Sequence, residues 1–151
     1  MDPYLVKIES TSETEALIKS LLETVTTNLE PRTDFHCTLI FARTYNKQPT
    51  LIDRYETPHT YTVKGIDVFE TAVVMLLDVD ENSFLVKRHH QLMFEMSAKE
   101  DFSTYNPHTT IGYLVKDSNG RTLSLDLEQL RQTFVGIKVS LERETGKVFV
   151  N

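Results

Sequence analysis

Two stretches of sequence decide the fold: Phe35-His36-Cys37-Thr38-Leu39 and Asn106-Pro107-His108-Thr109-Thr110-Ile111-Gly112. Each stretch is rich in β-prone residues and carries a histidine followed two positions later by a threonine. On a strand, residues two apart point to the same face. The histidine and the threonine of each stretch therefore project together, and the residue between them faces the opposite side. Two strands of this kind predict two matching polar patches.

The first stretch closes a strand–helix–strand unit. An apolar run over residues 4–8 predicts a strand, and Ser12 with Glu15 predicts a capping box at the start of a helix. Apolar residues then recur at helical spacing, which predicts a helix over residues 13–29. The chain becomes β-prone again over residues 35–42.

The second stretch closes a similar unit. A buried strand is predicted over residues 71–79, followed by capping residues and a helix ending near Ala98. After a polar segment at 99–106, a strand is predicted over residues 107–115. Ser12 precedes His36 by 24 residues, and Ser83 precedes His108 by 25. These matching offsets predict an internal pseudo-duplication.

The remaining segments complete a single domain. Strands are predicted at 61–69, 134–142 and 147–150, and a short helix at 125–132. The proline-containing polar segment 44–59 predicts a long mobile loop. No composition shift divides residues 1–151, so we predict one α+β domain with two lobes.

Composition excludes several classes of protein. The formal charge is −6 over 151 residues, and clustered cations are lacking, so binding to long nucleic acid is not expected. One cysteine, Cys37, permits neither an internal disulfide nor a four-cysteine zinc site. No stretch approaches the roughly 18 apolar residues of a membrane span, and the start lacks signal-peptide features. We expect a soluble intracellular protein.

The residue types in the two motifs suit cleavage of a phosphodiester. A neutral imidazole can accept the proton of an attacking hydroxyl, and a protonated one can donate to the leaving oxygen. Threonine hydroxyls can donate to the non-bridging oxygens, where charge develops. The alternative is chance, because threonine makes up 19 of 151 residues. The matched context of the two motifs favours the chemical interpretation.

These paired motifs resemble the 2H phosphoesterase superfamily. The sequence around the motifs is similar, more narrowly, to the anti-CBASS cyclic-oligonucleotide nucleases of T-even phages. The resemblance implies a bilobal 2H fold, with two pseudo-symmetric strand–helix–strand units and antiparallel sheets facing a central cleft. It also implies that the catalytic set is His36, Thr38, His108 and Thr110.

The resemblance further implies a nuclease that uses neither a metal nor another cofactor. Its substrates would be cyclic di- and trinucleotide messengers of bacterial antiphage systems, opened by attack of the ribose 2′-hydroxyl in the host cytoplasm. Neither a membrane nor long nucleic acid is expected as a partner. Which histidine is the acid, and the oligomeric state, stay open.

Residues that contact the bases are predicted less directly. Tyr4 is a candidate for stacking on a base, and Glu142 for contacting a base edge. Aromatic residues outside the motifs are further candidates for stacking, with ordinary packing as the alternative: Tyr45, Tyr55, Tyr61, Tyr105 and Phe69. Cys37 and His89 are predicted to be packing residues. Lys7 and Lys64 could reach a phosphate, but single lysines on strands are usually solvated, and we predict solvation for both.

Three alternative functions stay open. The first is an RNA-end 2′,3′-cyclic phosphodiesterase, which would usually need more basic residues to hold RNA. The second is a sponge that binds cyclic nucleotides without cleaving them. The third is an interaction protein in which the two motifs arise by chance.

Overall fold

The computed structural model describes residues 2–99 and 105–150, which contain seven strands and three helices. Residues 100–104, in the polar segment predicted before the second motif, lie outside the described part. Among the described residues, no helix combines the length and the apolarity needed to cross a membrane. In chain order, the elements are β1 (Tyr4–Ser10), α1 (Ser12–Leu22), β2 (Leu29–Pro31), β3 (His36–Ala42), β4 (His59–Phe69), β5 (Ala72–Leu77), α2 (Phe84–Met96), β6 (His108–Leu114), α3 (Leu127–Phe134) and β7 (Lys138–Val148).

All of the strand pairings are antiparallel and together close a ring. The order is β6-β3-β1-β7-β4-β5, and β5 pairs back with β6, while β2 pairs with the outer end of β6. One half consists of β3, β1 and β7, and the other of β6, β5 and β4. The predicted bilobal α+β fold is confirmed. Its two halves form a continuous sheet, because β3 pairs with β6 at one junction and β7 pairs with β4 at the other.

The pairing of the strands is related by a pseudo-twofold symmetry, in line with the pseudo-duplication of the sequence. Each half has a central strand, β1 or β5, that pairs with its own motif strand and with one long strand. At one junction Cys37 pairs with Thr109, and at the other Tyr61 pairs with Val139. A twofold axis through these two junctions exchanges β1 with β5, β3 with β6 and β7 with β4.

Irregularities of the strands obey the same symmetry. The β1–β3 register shifts between Val6 and Lys7, and the β5–β6 register shifts between Val73 and Val74. Both shifts come directly after the threonine of the neighbouring motif. Since a bulge sharpens the local twist of a strand, the two motif strands bend in equivalent ways.

Helix α1 ends earlier than predicted. The spacing predicted a helix to residue 29, but it ends at Leu22. Residues 24–27 are Thr-Val-Thr-Thr, four β-branched residues that lose side-chain freedom in a helix. The N–H groups of Thr26 and Thr27 instead donate to Oε1 of Gln129. The cap is Thr11 and not Ser12, because the Thr11 hydroxyl accepts from the Thr14 N–H.

Strand β7 replaces two shorter predicted strands. Phe134, predicted to start one of them, belongs to α3 and is fully buried. The strand continues through Gly146, which lies between the two predicted strands. A Cβ atom at Gly146 would collide with the Tyr4 ring and hydroxyl, so glycine at this position allows close packing inside the strand.

The segment predicted as a mobile loop is tied to α2 and β7. The N–H of Asn46 donates to the carbonyl of Met96, and the N–H of Tyr55 to the carbonyl of Glu142. Glu144, whose side chain is fully buried, accepts from the Ile52 N–H. The same carboxylate accepts from the Tyr55 hydroxyl and pairs with Arg88, so one buried group holds the segment at Ile52 and Tyr55.

Candidate active site on the two motif strands

The junction between β3 and β6 brings the two predicted motifs together. Because Cys37 pairs with Thr109, the residues on either side of this pair flank the junction on the opposite face. These residues are His36, Thr38, His108 and Thr110, and all four are half-buried. In antiparallel strands, diagonal neighbours lie about 7–8 Å apart. The two imidazoles therefore flank a space on the scale of one phosphate group.

His36 lies in a partly buried environment with charges of both signs nearby. Its side chain is 17% exposed, and Nδ1 has no hydrogen-bond partner among the described residues, with Oδ2 of Asp34 at 3.7 Å. Burial, reinforced by the charges of Lys7 and Arg32, lowers the pKa of His36 to about 4, against the opposing effect of Asp34 and Glu9. His36 is therefore neutral at pH 7 and can accept a proton.

His108 is oriented by its own backbone. Its Nδ1 lies 2.9 Å from the carbonyl oxygen of Asn106, and because a carbonyl can only accept, Nδ1 carries the proton. Nε2 is the nitrogen left for the cleft. The ring also contacts the edge of Phe69, with 5.0 Å between ring centroids. Both contacts fix the direction of the imidazole.

The threonine hydroxyls of the motifs have no hydrogen-bond partners within the described part of the chain. Thr38 is held instead by its backbone, since the Tyr105 hydroxyl donates to its carbonyl oxygen at 2.6 Å. Free hydroxyls beside two imidazoles are available to donate to a ligand oxygen.

Strand β1 contributes residues to the same face that the sequence analysis set aside. Lys7 is the cross-strand partner of Thr38, and Glu9 is the partner of His36. Glu9 forms an ion pair with Arg143 of β7 at 2.9 Å. Strand alternation predicts that Lys7 and Glu9 share a face of β1. Which strand lies beside that face depends on the pairing of the assembled sheet, so the sequence did not show that Lys7 lies next to the motif.

The placement of Tyr4 does not favour the stacking role predicted for it. Its side chain is 6% exposed and contacts the Tyr45 ring at 5.9 Å. On β1, Tyr4 alternates with Val6 and Ile8, both buried, and not with Lys7. It therefore lies on the core face, and its stacking on a base stays a prediction.

Glu142 lies where β1 and β7 shift register, and it is half-buried. Its backbone carbonyl is used by Tyr55, and its proposed contact with a base edge stays a prediction. Of the other aromatic candidates, Tyr55 and Tyr61 are buried, whereas Phe69 is 37% exposed and lies beside His108.

The predicted packing residues behave as expected. Cys37 is fully buried, and burial raises the pKa of its thiol to about 11, which suits packing and not nucleophilic attack. His89 is 1% exposed, with Nδ1 2.6 Å from the carbonyl oxygen of Leu39. Within residues 2–99 and 105–150, no group of three or more His, Cys, Asp or Glu side chains is arranged to hold a metal ion.

Comparison with solved structures shows the fold. A crystal structure described as a phosphoesterase superimposes with a TM-score of 0.60 and 13% identity, covering 98% of this chain and 88% of that chain. Escherichia coli LigT in its apo form superimposes with a TM-score of 0.54 and 11% identity, covering 97% and 87%. The chain therefore has the fold of the 2H phosphoesterases.

Comparison with protein sequences shows the family. No curated sequence matches the chain significantly. The sequence profile of one family, described as anti-CBASS protein Acb1, matches residues 3–146, which is nearly the whole chain. The resemblance carried by the two motifs is thus confirmed, and the chain belongs to the Acb1 anti-CBASS family.

Proposed function

We propose that this protein is a phosphodiesterase that opens cyclic di- and trinucleotide messengers and so blocks antiphage signalling in the host cytoplasm. One observation carries the proposal: the Cys37–Thr109 pairing gathers two histidines and two threonines on one face. Membership of an anti-CBASS family and the fold of phosphoesterases support the same reaction class. The charge of −6 favours a small messenger over a nucleic-acid strand.

We assign His36 as the general base, since it is neutral at pH 7. It accepts the proton of the ribose 2′-hydroxyl, whose oxygen attacks the adjacent phosphorus. The bond from phosphorus to the 5′-oxygen breaks, and His108 gives a proton to that oxygen. The products are a 2′,3′-cyclic phosphate and a 5′-hydroxyl, so no water is consumed in this step. Each proton transfer is typically worth about 10²–10⁴-fold in rate.

The threonine hydroxyls of the motifs complete the site. Thr38 and Thr110 donate to the non-bridging phosphate oxygens, where negative charge accumulates in the transition state. Thr38→Val or Thr110→Val should slow turnover by about 10²–10³-fold, as does loss of an oxyanion-hole donor. Turnover of purified variants is measured by chromatography, with circular dichroism to check folding. A loss below about threefold would contradict contact with the reacting phosphate.

The test of the function is incubation with cyclic GMP–AMP in the presence of EDTA, followed by chromatography. We expect ring opening by the parent protein, and none by His36→Ala or His108→Ala. The matched control is His90→Ala, which changes an exposed histidine of α2. Ring opening that survives loss of either motif histidine would contradict the proposal.

The same assay separates the alternatives. Intact ligand released on denaturation would identify a sponge. Cleavage of an oligonucleotide 2′,3′-cyclic end, but not of the ring, would identify an RNA-end phosphodiesterase. Neither binding nor cleavage of any nucleotide would favour an interaction protein with a chance pair of motifs.

A further inference from the structure

We infer that the cleft face of β1 and β7 forms a second anion site, made by Lys7, Thr145 and Lys147, that takes a neighbouring phosphate of the bound nucleotide. The inference rests on the proposed function, because it assumes that a scissile phosphate lies between His36 and His108. It adds a second contact and an orientation for the substrate.

The three residues continue the row that begins at the first motif. Lys7 is the cross-strand partner of Thr38, and Thr145 is the partner of Lys7. Neighbouring strands lie about 4.8 Å apart, so Thr145 is roughly 10 Å from Thr38 across the sheet. Lys147, the partner of Leu5, stands two residues further along β7. These residues line a shallow depression beside the motif strands.

The hydroxyl of Thr145 is ready for a ligand. Its oxygen is buried, and it has no hydrogen-bond partner among the described residues. Buried polar atoms in folded proteins are nearly always hydrogen-bonded, so this hydroxyl calls for a partner that enters the depression. A phosphate oxygen could accept a hydrogen bond from this hydroxyl.

The charged side chains on this face favour the binding of an anion. Arg143 is neutralised by Glu9, but neither Lys7 nor Lys147 has a carboxylate within ion-pair distance in the described part of the chain. The Lys147 ammonium lies over the Phe149 ring, 4.8 Å from its centroid. Two lysines without an ion-pair partner among the described residues, beside a hydroxyl without a hydrogen-bond partner, favour a phosphate over a neutral or cationic ligand.

The other half of the molecule lacks these groups. Under the pseudo-twofold, the register replaces Lys7 with Val74 and Thr145 with Asp67, while Phe69 stands at the position of Lys147. The second anion therefore binds on only one side of the histidines.

The test is equilibrium binding to the His36→Ala/His108→Ala protein, which cannot cleave. The probes are cyclic GMP–AMP and a nucleoside 3′,5′-bisphosphate, each with two phosphates, and guanosine 2′,3′-cyclic monophosphate, with one. Adding Lys147→Met or Thr145→Val should lower the ratio of two-phosphate to one-phosphate affinity by about tenfold. Lys147→Met should also reduce the salt slope for cyclic GMP–AMP by about one.

The matched control is Lys138→Met, because Lys138 lies at the other end of β7 and donates to Thr62. It should leave the affinity ratio as in the parent. An unchanged ratio in both Lys147→Met and Thr145→Val would overturn the second site, whatever the ring-opening assay shows. If cyclic GMP–AMP is not opened but the bisphosphate ratio falls, the second site stands and the proposed function fails.

Discussion

At the scale of single residues, the surroundings of His36 determine the acid side of the pH profile. Burial and the neighbouring charges of Lys7 and Arg32 hold its pKa at about 4, well below the ordinary value near 6.5. A base must be neutral, so we expect kcat/KM to hold as the pH falls to about 4 and to drop below that. A histidine with an ordinary pKa would place this limb at about pH 6.5.

Replacing Lys7 tests the cause of this shift. Lys7→Met removes a positive charge that disfavours the protonated imidazole, so the pKa of His36 should rise and the acid limb should move to higher pH. The pH dependence of kcat/KM for the variant and the parent is the measurement. Lys138→Met serves as the control. A limb that stays in place would contradict a contribution of Lys7 to the pKa of His36.

How much of the site was predictable depends on the origin of each contact. That His36 and Thr38 share a face follows from strand alternation, which needs only neighbours in the sequence. Lys7 reaches the site through the register of β1 against β3, a property of the assembled sheet. The placement of Tyr4 on the core face could not be predicted for the same reason, since it depends on which side of β1 is covered.

At the scale of elements, Gly112 allows β2 to pair with β6 directly after the second motif. A Cβ atom at this position would collide with the Glu30 carbonyl and press on the Leu29 side chain. We expect Gly112→Ala to cost about 1–3 kcal/mol, because crowding in a packed region forces the backbone apart. Urea unfolding monitored by circular dichroism measures the loss.

The control for this prediction comes from another strand. A Cβ atom at Gly65 of β4 would meet only Cδ1 of Leu76, at the ordinary contact distance of 3.6 Å. Gly65→Ala should therefore be tolerated far better than Gly112→Ala. Equal stabilities of the two variants would contradict the proposed clash with β2.

The buried carboxylate of Glu144 gives a second prediction at this scale. Its partner Arg88 donates twice to it, at 2.7 and 2.8 Å, and also to the Thr50 carbonyl. Arg88→Met leaves a buried charge without its cation, which typically costs about 3–5 kcal/mol. Adding Glu144→Gln should recover part of the loss in urea unfolding. A single-variant loss below about 1 kcal/mol would contradict the buried pair.

Elements were predictable where local preference and packing agree. Helical spacing places Leu85, His89 and Leu92 on one face of α2, and all three are buried. The end of α1 differed because β-branched residues outweighed the apolar spacing. The join within β7 depends on the Tyr4 ring packing over Gly146, a contact between distant parts of the chain.

At the scale of the whole molecule, the two lobes share their long strands. The first residues of β4 pair with β7 and the rest pair with β5, so neither half has a complete sheet alone. We expect one cooperative unfolding transition, with tyrosine fluorescence and circular dichroism giving the same midpoint.

A core substitution sharpens that expectation. Met75→Ala empties a fully buried site in β5 and should shift both signals together, with a loss of about 2–5 kcal/mol. Phe94→Ala, at a residue 89% exposed, should leave the midpoint unchanged. Two separate transitions would show that the lobes are independent domains.

The unequal halves of the cleft have a consequence for turnover. A cyclic dinucleotide made of two identical nucleotides has two equivalent phosphodiester bonds, whereas the protein surface that binds it is asymmetric. The second anion site exists in one half only, because the positions of Lys7, Thr145 and Lys147 are taken in the other half by Val74, Asp67 and Phe69. Each binding event would therefore cleave a single phosphodiester bond. The opened dinucleotide would then have to leave and return reversed before a second cut, and it should accumulate ahead of mononucleotides.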